Sequence, residues 1–382
     1  MKKYIDISGF NLRDTNRGTA ALGYGAIPFL ESKGYLKDGQ ELILFHRYKK
    51  FWKQSNIKIS HEELHINGKT YKRTIVPIHD LEYQLVQRIG IIIPFTKFGK
   101  HVKQVELEAA IYGGDGFSDI YGTKTFMKRM YQTWILHRAK VPLLFLPQTI
   151  GPFKKKQNYN IAIKLLRYAK EIYVRDNKFT SELEKLGLRY TQTKDLSAFM
   201  VPEPWDIDIK ENAIGLNVSG LAYSNTFNGL EGQFNAYPEL IERIINHFRA
   251  KGCTIYLIPH SYNYNKPIPD DDMLACREAY HKLHDKKNVI LIERDLISPQ
   301  LKYLISKMTF FIGARMHANF AAIFTGVPVF GMAYSYKFEG AFNANGLDGK
   351  TQTAMINNLQ LVDIDKYIAK IDSFYCKALQ TR

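Results

Sequence analysis

Short apolar runs alternate with amphipathic stretches along almost the whole chain, and this alternation predicts the fold class. In the first half, the β-rich runs KYIDISGF, ELILFHRY, EAAIYGG, VPLLFLPQ and EIYVRD alternate with helical stretches, among them 122–140 and 157–170. Alternation at this spacing is typical of a parallel sheet covered by helices on both faces. A second pattern interrupts it within 45–80, where NGK between alternating residues indicates a hairpin insertion.

The stretch MVPEPWDIDIKEN (200–212), with two prolines and four acidic residues, separates two such series. After it, AIGLNVSG, CTIYLIPH, NVILIERD, FFIGA and VPVFGMA are further predicted strands. We therefore predict an α/β protein with two Rossmann-like doubly wound domains that face a cleft. The first domain covers 1–205 and contains the insertion. The second covers 212–360, and a C-terminal helix at 361–382 is expected to pack back toward the first domain.

Composition allows packed cores and indicates an anionic partner as one explanation of the charge. Hydrophobic residues make up 45% of the 382 residues, which excludes wholesale disorder. The formal net charge is +16, which fits either a lysine-rich proteome or a polyanionic partner. We expect no nucleic acid partner, because no recognised reading motif accompanies the charge.

The segment 41–104 is basic, with 12 Lys/Arg against 5 Asp/Glu and four interleaved aromatic residues, Phe45, Tyr48, Phe51 and Trp52. It is either a solvated face over a core or a surface that rests on anionic lipid of the inner leaflet and meets a diphosphate-linked lipid acceptor.

Cysteine usage and hydropathy indicate a cytoplasmic protein with at most a peripheral membrane contact. Cys253, Cys276 and Cys376 have no paired spacing, so they fit neither a disulfide framework nor a zinc site. Asp6 interrupts the apolar run at the N-terminus, which is therefore not expected to be a signal peptide. The longest apolar runs, such as GIIIPF, fall far short of the ~20 residues that span a bilayer.

Polar residues at predicted strand ends are the candidates for function, because ligands bind open α/β sheets at those ends. In the first half these are Asn16 and Gly18 at a helix start, Asp115 after EAAIYGG, and Arg175 in YVRD. Asp115 is either a turn former or a base that orients sugar hydroxyls. Arg175 is either an anion clamp or half of a surface ion pair.

In the second half, four strand ends in the predicted sheet carry polar side chains. They are Asn217, His260, the pair Arg315 and His317, and the pair Tyr334 and Lys337. A lone histidine in a loop is more often structural than catalytic. A set that follows four strands is harder to explain by structure alone.

The run GARMHANFAAIFTGVPVFGMAYSYKFEG resembles the signature of the polysaccharide pyruvyl transferase family, and NRGTAAL, GGDGFSDIYG and LPQTIGPF resemble weaker family motifs. The resemblance implies a fold like that of B-type glycosyltransferases. It also implies transfer of pyruvate from phosphoenolpyruvate onto a sugar as a ketal, with no metal or organic cofactor. By resemblance, Arg175, Arg315 and His317 surround phosphoenolpyruvate, and Lys337 and Asn217 are further contacts. GGDG has Asp115 where a third glycine is common, which leaves the acceptor open.

The chemistry of the donor agrees with these residue types. Phosphoenolpyruvate carries a phosphate and a carboxylate, which two arginines and a lysine would neutralise. Ketal formation requires protonation of the methylene carbon, so we expect His317 to act as general acid/base or to bind the donor's charge. Asp115 is the candidate for activating an acceptor hydroxyl.

Two other functions remain open at this point. A B-type glycosyltransferase that uses a nucleotide sugar would have a similar architecture, although the helix after GARMH lacks the glutamate that many such enzymes place there for the donor ribose. A non-enzymatic basic scaffold at a membrane is the third hypothesis.

Overall fold

The structure is a computed structural model that describes residues 3–49, 58–227, 229–263, 269–335 and 337–380. It divides into two compact units. The first comprises Met1–Asn11 and Leu22–Phe199, and the second comprises Leu12–Ala21 and Met200–Arg382. The division near residue 200 lies close to the predicted linker, whereas the grouping of residues 12–21 with the second unit was not foreseen.

Fourteen strands are found in the described residues. Their bounds are β1 Tyr4–Ser8, β2 Glu41–Tyr48, β3 Ser60–Ile66, β4 Lys69–His79, β5 Val105–Ala110, β6 Leu143–Gln148, β7 Glu171–Val174, β8 Thr191–Gln192, β9 Ala213–Asn217, β10 Thr254–Leu257, β11 Val289–Leu291, β12 Phe310–Gly313, β13 Val329–Ala333 and β14 Thr353–Met355.

Fifteen α-helices are found in the same residues. Their bounds are α1 Arg17–Ser32, α2 Asp80–Ile89, α3 Lys97–Val102, α4 Thr123–Arg129, α5 Tyr131–Arg138, α6 Lys156–Tyr168, α7 Thr180–Lys185, α8 Gly220–Ser224, α9 Tyr237–Ala250, α10 Asp272–Lys282, α11 Ser298–Ser306, α12 Met316–Ile323, α13 Lys337–Asn343, α14 Gly349–Gln352 and α15 Ile364–Gln380.

The first unit contains an eight-stranded sheet in the order β3-β4-β2-β1-β5-β6-β7-β8. All neighbours are parallel except β3 and β4, which form the predicted antiparallel hairpin at the edge. Its turn consists of Asn67 and Gly68, which have φ values of 53° and 72°. Positive φ at both central residues is what a two-residue hairpin turn of this kind requires, and Asn-Gly supplies it.

The second unit contains a six-stranded parallel sheet in the order β11-β10-β9-β12-β13-β14. Counted within the unit, this is the doubly wound order 3-2-1-4-5-6, in which the winding direction reverses between the first and fourth strands. The switch point therefore lies between β9 and β12. The prediction of two Rossmann-like domains is confirmed.

Helix α15 packs within the second unit, which corrects the expectation that it would pack toward the first domain. Its buried residues recur at helical spacing: Ile364, Tyr367, Ile368, Ile371 and Tyr375. They belong to the same apolar cluster as the strands β9, β10 and β12. The ring of Tyr375 lies 5.2 Å from that of Phe248 and 5.3 Å from that of Phe310.

Several local predictions also need correction. The helix predicted at 122–140 is two helices, α4 and α5, with Met130 between them. In the basic segment, Phe45 is fully buried in the first unit's core. Phe51 and Trp52 lie outside the described residues. Among the residues that the structure describes, no helix combines the length and apolar character needed to cross a membrane.

Candidate functional site

The switch point of the second sheet joins two of the predicted site residues. Asn217 is the last residue of β9. Its Oδ1 accepts a hydrogen bond of 2.8 Å from the backbone N–H of Arg315, which follows β12 after Ala314. Its Nδ2 donates to the carbonyl of Ile258 at 3.0 Å and to Asp272 at 3.2 Å. Asn217 is fully buried, so its amide fixes three chain segments at this edge of the sheet.

Arg315 is a buried cation held by two carboxylates. Its Nε and Nη2 donate to Asp272, with Nη2 at 2.6 Å from Oδ1, and Nη2 also donates to Asp270. Burial alone would lower the pKa of Arg315, but Asp272 and Asp270 hold it above its usual range. The guanidinium is therefore charged and already paired.

Asp272 connects Arg315 to its neighbours. Its carboxylate is fully buried and also accepts the backbone N–H of Gly220 at 2.8 Å and of His260 at 3.1 Å. One side chain thus holds the segments that follow β9, β10 and β12.

His260 lies in this network as a buried imidazole. It is 4% exposed, and its pKa is lowered well below the usual range by burial and by the positive charges of His317, Arg315 and Arg17. It is therefore neutral near pH 7. Its backbone carbonyl accepts a hydrogen bond of 3.0 Å from the N–H of Arg17.

The segment 12–21 is bound to the second unit by the buried side chain of Arg17. Its Nε donates to the carbonyl of Leu296 at 2.8 Å, and its Nη2 forms an ion pair with Asp295. The guanidinium also lies 4.8 Å from the ring centroid of Tyr262. These contacts explain why residues 12–21 group with the second unit.

Asn16 directly precedes helix α1 and fixes the position of Gly18. The Oδ1 of Asn16 accepts the N–H of Gly18 at 3.0 Å, so Asn16 supplies the capping side chain. A Cβ on Gly18 would lie 2.6 Å from Nδ1 of His317 and 2.8 Å from its Cβ and Cγ. Only a residue without a side chain allows the imidazole to lie so close to this backbone.

His317 stands in the first turn of α12, with its ring between Gly18 and Phe320. The ring centroids of His317 and Phe320 are 5.5 Å apart and their planes are nearly perpendicular. Asn16, Gly18, Asn217, His260, Arg315 and His317 are therefore brought together at one edge of the second sheet.

Tyr334 and Lys337 follow the neighbouring strand β13. Tyr334 interacts electrostatically with Arg315, and its ring packs at 5.4 Å from that of Phe338. Lys337 is half-buried at the first position of α13. Both lie at the carboxyl end of the second sheet, as predicted.

Arg175 occupies the corresponding edge of the first sheet, directly after β7. Its Nη1 donates to Asp195 at 2.6 Å and its Nε to Thr149 at 3.0 Å. A Cβ on Gly114 would come within 2.8 Å of the guanidinium. Burial lowers the pKa of Arg175, but Asp195, Asp176 and Asp115 together raise it.

Asp115 lies in the loop after β5, and both of its carboxylate oxygens accept from the hydroxyl of Tyr121 at 3.2 Å. It directly follows Gly114, where an added Cβ would lie 2.8 Å from Nη1 of Arg175. The neighbouring Asp176 accepts the hydroxyl of Thr149 and the N–H of Lys178. The next helix, α7, begins at Thr180.

Two carboxyl groups are buried at the switch point of the first sheet. The hydroxyl of Ser8 lies 2.9 Å from Asp6 and 2.6 Å from Glu108, and Gln132 donates to the other oxygen of Asp6. Burial and the mutual repulsion of the pair raise the pKa of Asp6, and burial raises the pKa of Glu108 to about 7. Both carboxyl groups therefore hold their protons to a higher pH than exposed ones do.

The model of the family described as "Polysaccharide pyruvyl transferase" matches residues 16–336. The chain belongs to this family. The match begins at Asn16 and includes the loop, the switch point and the Arg315–His317 motif. This family member is thus related to transferases of polysaccharide synthesis.

A relative and two solved structures are similar to this pyruvyl transferase family member. The amylovoran biosynthesis protein AmsJ of Erwinia amylovora is 24% identical over 294 residues, which cover 72% of this chain and 67% of AmsJ. The UDP-GlcNAc 2-epimerase of Methanocaldococcus jannaschii has a TM-score of 0.51 at 8% identity, and the match covers 97% of this chain and 92% of the epimerase chain. This likeness shows a shared fold alone.

The second structure is the ADP-heptose lipopolysaccharide heptosyltransferase II of E. coli. It has a TM-score of 0.44 at 11% identity, and the match covers 98% of this chain and 99% of that protein.

Sequence reasoning missed the carboxylates that bind Arg315. Asp270 and Asp272 belong to an acidic run, PDDD, at 269–272, and Arg17 directly precedes Gly18. A buried arginine needs a carboxylate, so an acidic run after the predicted strand end at His260 was the available signal. Among the described residues, no group of three or more His, Cys, Asp or Glu side chains is arranged to hold a metal ion.

Proposed function

We propose that this protein transfers the pyruvyl group of phosphoenolpyruvate onto a hexose of a cell-surface polysaccharide precursor as a cyclic ketal and releases phosphate. Family membership supports transfer in polysaccharide synthesis, and the relationship to AmsJ supports the same pathway class. The observation that carries the proposal is the position of His317 against Gly18 at the switch point of the second sheet. Doubly wound sheets bind their ligands there.

The proposed reaction has two additions at C2 of the donor. A proton is added to the methylene carbon, which becomes the methyl group, and C2 becomes an oxocarbenium-like centre. One sugar hydroxyl attacks C2 and loses its proton. The C–O bond to phosphate then breaks, and a second hydroxyl of the same sugar closes the ring and loses its proton. Donor and diol thus give ketal and inorganic phosphate, and this chemistry needs no metal or organic cofactor.

We assign the proton donor to His317, because imidazole is the side chain whose ordinary pKa lies near neutrality. His260 is unsuited to this role, since burial and neighbouring positive charge keep it neutral. Its neutral ring instead limits the positive charge next to His317.

Charge on the donor would be met by Lys337 and Arg315 in the second unit, and Arg175 in the first unit is a further cation proposed to bind an anionic group. Both arginines already bind carboxylates, but a guanidinium has five N–H donors, so an ion pair does not exclude a further anion. Asp115 is proposed to activate an acceptor hydroxyl as a base.

The test is turnover of the purified protein with phosphoenolpyruvate and a panel of hexose-containing oligosaccharides. Phosphate release should accompany a mass gain equal to pyruvate less one water in the glycan. His317→Gln should lower turnover by about 10²–10⁴-fold, the usual contribution of a general acid. The matched control is His281→Gln, an exposed histidine on α10.

Two results would contradict the proposal. One is full activity of His317→Gln, which would remove the histidine from the chemistry. The other is binding of UDP-sugars but not of phosphoenolpyruvate in calorimetric titration, which would identify a glycosyltransferase.

A further inference from the structure

Exposed apolar side chains concentrate in one short part of the first unit. Thirteen large hydrophobic side chains are exposed in the described part of the chain, and four of them, Leu81, Ile89, Ile91 and Phe95, lie within fifteen residues. Phe95 is 75% exposed and Ile89 61%. Single exposed apolar side chains are ordinary, whereas exposed apolar side chains that concentrate in one place mark interaction sites.

Two of these side chains, Ile91 and Phe95, lie in the loop between α2 and α3, which has a defined arrangement. Gly90 ends α2 with a φ of 75°, and its N–H bonds to the carbonyl of Val86 at 2.9 Å. At the other end, the hydroxyl of Thr96 donates to Glu82 and accepts the N–H of Gly99 at 2.9 Å. The loop is therefore tied at both ends by local hydrogen bonds.

The same stretch also faces inward with a separate set of apolar residues. Val86, Phe98 and Val102 are buried in the first unit's core, and Ile92 packs against them. Ile89, Ile91 and Phe95 thus remain outside although the core is already filled. On α2, Leu81, Leu85 and Ile89 follow each other at a spacing of four residues, which places them along one face.

Basic residues follow the apolar ones immediately. Residues 81–103 contain four Lys/Arg, namely Arg88, Lys97, Lys100 and Lys103, and a single carboxylate, Glu82. Arg88 and the three lysines are exposed. Glu82 is bound to Thr96 and only partly exposed, so the outer face of this stretch is apolar and positive.

We propose that the outer face of residues 81–103 docks on an anionic lipid bilayer, with Ile89, Ile91 and Phe95 inserted at the interface and the lysines against the headgroups. Apolar side chains flanked by Lys/Arg are the combination that interfacial binding needs. We call this face the 81–103 surface. Exposed Ile and Phe side chains beside lysines on one short stretch match the layers of a bilayer surface, in which an apolar region lies directly below anionic headgroups. The inference does not rest on the proposed reaction.

The first experiment measures binding of the full chain to vesicles by flotation. Vesicles of phosphatidylcholine with phosphatidylglycerol should bind the protein, and vesicles of phosphatidylcholine alone should bind it far less. Ile91→Ser/Phe95→Ser should lower the partition coefficient tenfold or more, because two large apolar side chains are lost from the interface. Lys100→Gln/Lys103→Gln should lower it by about fivefold per lysine.

The matched control is Leu361→Ser/Val362→Ser, which removes two exposed apolar side chains of the second unit, 58% and 88% exposed. It should leave binding unchanged. In a second measurement, Phe95→Trp should show a blue-shifted emission on addition of anionic vesicles, whereas Val362→Trp should not.

Three results would overturn the inference. The wild-type protein could fail to float with anionic vesicles, or Ile91→Ser/Phe95→Ser could bind as well as the wild type. In the third case, light scattering would find a dimer in solution that this double substitution dissociates, which would assign the 81–103 surface to a second copy of the chain. Because phosphate release on a soluble oligosaccharide is measured separately, loss of vesicle binding and loss of the reaction are distinguishable.

Discussion

Substitution of Gly18 by alanine tests whether the position of His317 matters for function. The added methyl group would lie 2.6 Å from Nδ1 and 2.8 Å from Cβ of His317, whereas ordinary contacts begin at 3.4 Å. The ring must therefore move away by about 0.8 Å, the difference between the 2.6 Å to Nδ1 and the 3.4 Å of an ordinary contact. Rotation of the ring does not relieve the contact with Cβ, because that atom is fixed to the backbone of α12. The start of α1 or of α12 has to move.

Two magnitudes follow from this displacement. Overpacking of this kind costs about 1–3 kcal/mol of the free energy of unfolding. A catalytic group misplaced by about 1 Å can cost on the order of 10²-fold in rate. We therefore expect Gly18→Ala to fold, to unfold at a lower denaturant concentration, and to turn over phosphoenolpyruvate about a hundredfold more slowly than wild type.

The assays are phosphate release and denaturant unfolding on the same preparations. The control is Gly340→Ala, since Gly340 lies in α13 with no heavy atom within 4 Å of the added Cβ. It should be unchanged in turnover and more stable by up to about 1 kcal/mol, because alanine favours helix over glycine. Wild-type turnover in Gly18→Ala would refute the reasoning, since the ring would then have moved without consequence.

Three further substitutions test the buried charges. Asp272→Asn removes a carboxylate from buried Arg315 and should lower the free energy of unfolding by about 3 kcal/mol. The control Asp365→Asn, at an exposed carboxylate, should change it little. Equal effects of the two substitutions would contradict the conclusion that Asp272 stabilises a buried charge. Glu108 has a pKa of about 7 in the folded state, raised from 4.5, so the folded state binds more protons and wild-type stability should fall between about pH 4.5 and 7. Glu108→Gln should flatten this fall, measured as unfolding free energy against pH, and an unchanged slope would exclude the raised pKa.

The strands, their order in the chain and the strand-end location of the candidate residues could be predicted from the sequence, because these depend on local periodicity and on one topological rule. Asn217, His260, Arg315 and His317 do meet at one edge. The hairpin turn at Asn67 and Gly68 was predictable for the same reason, since positive φ at both positions is a local property.

The surroundings of the site were not predictable, because they depend on partners far away in the chain. The sequence does not show which carboxylate pairs with Arg315, since a motif contains the hydrogen-bond donor but not its partner. Its partner Asp272 precedes it by 43 residues. Nor does any local pattern distinguish residues 12–21 from the rest of the first half, because their place depends on the contact of Arg17 with Asp295, 278 residues later.

In the family motif, Arg315 has a structural role in addition to the donor contact proposed for it. Asp272 accepts hydrogen bonds from Gly220, His260, Asn217 and Arg315, which fills the roughly four acceptor sites of a carboxylate. Arg315 is the cation that makes this buried anion tolerable, and its backbone N–H is bound by Asn217 at the same time. Two residues later, the chain has entered α12 and presents His317 to Gly18. The arginine thus fixes where the helix begins, and the histidine, which it positions, is left for the proton transfer proposed above.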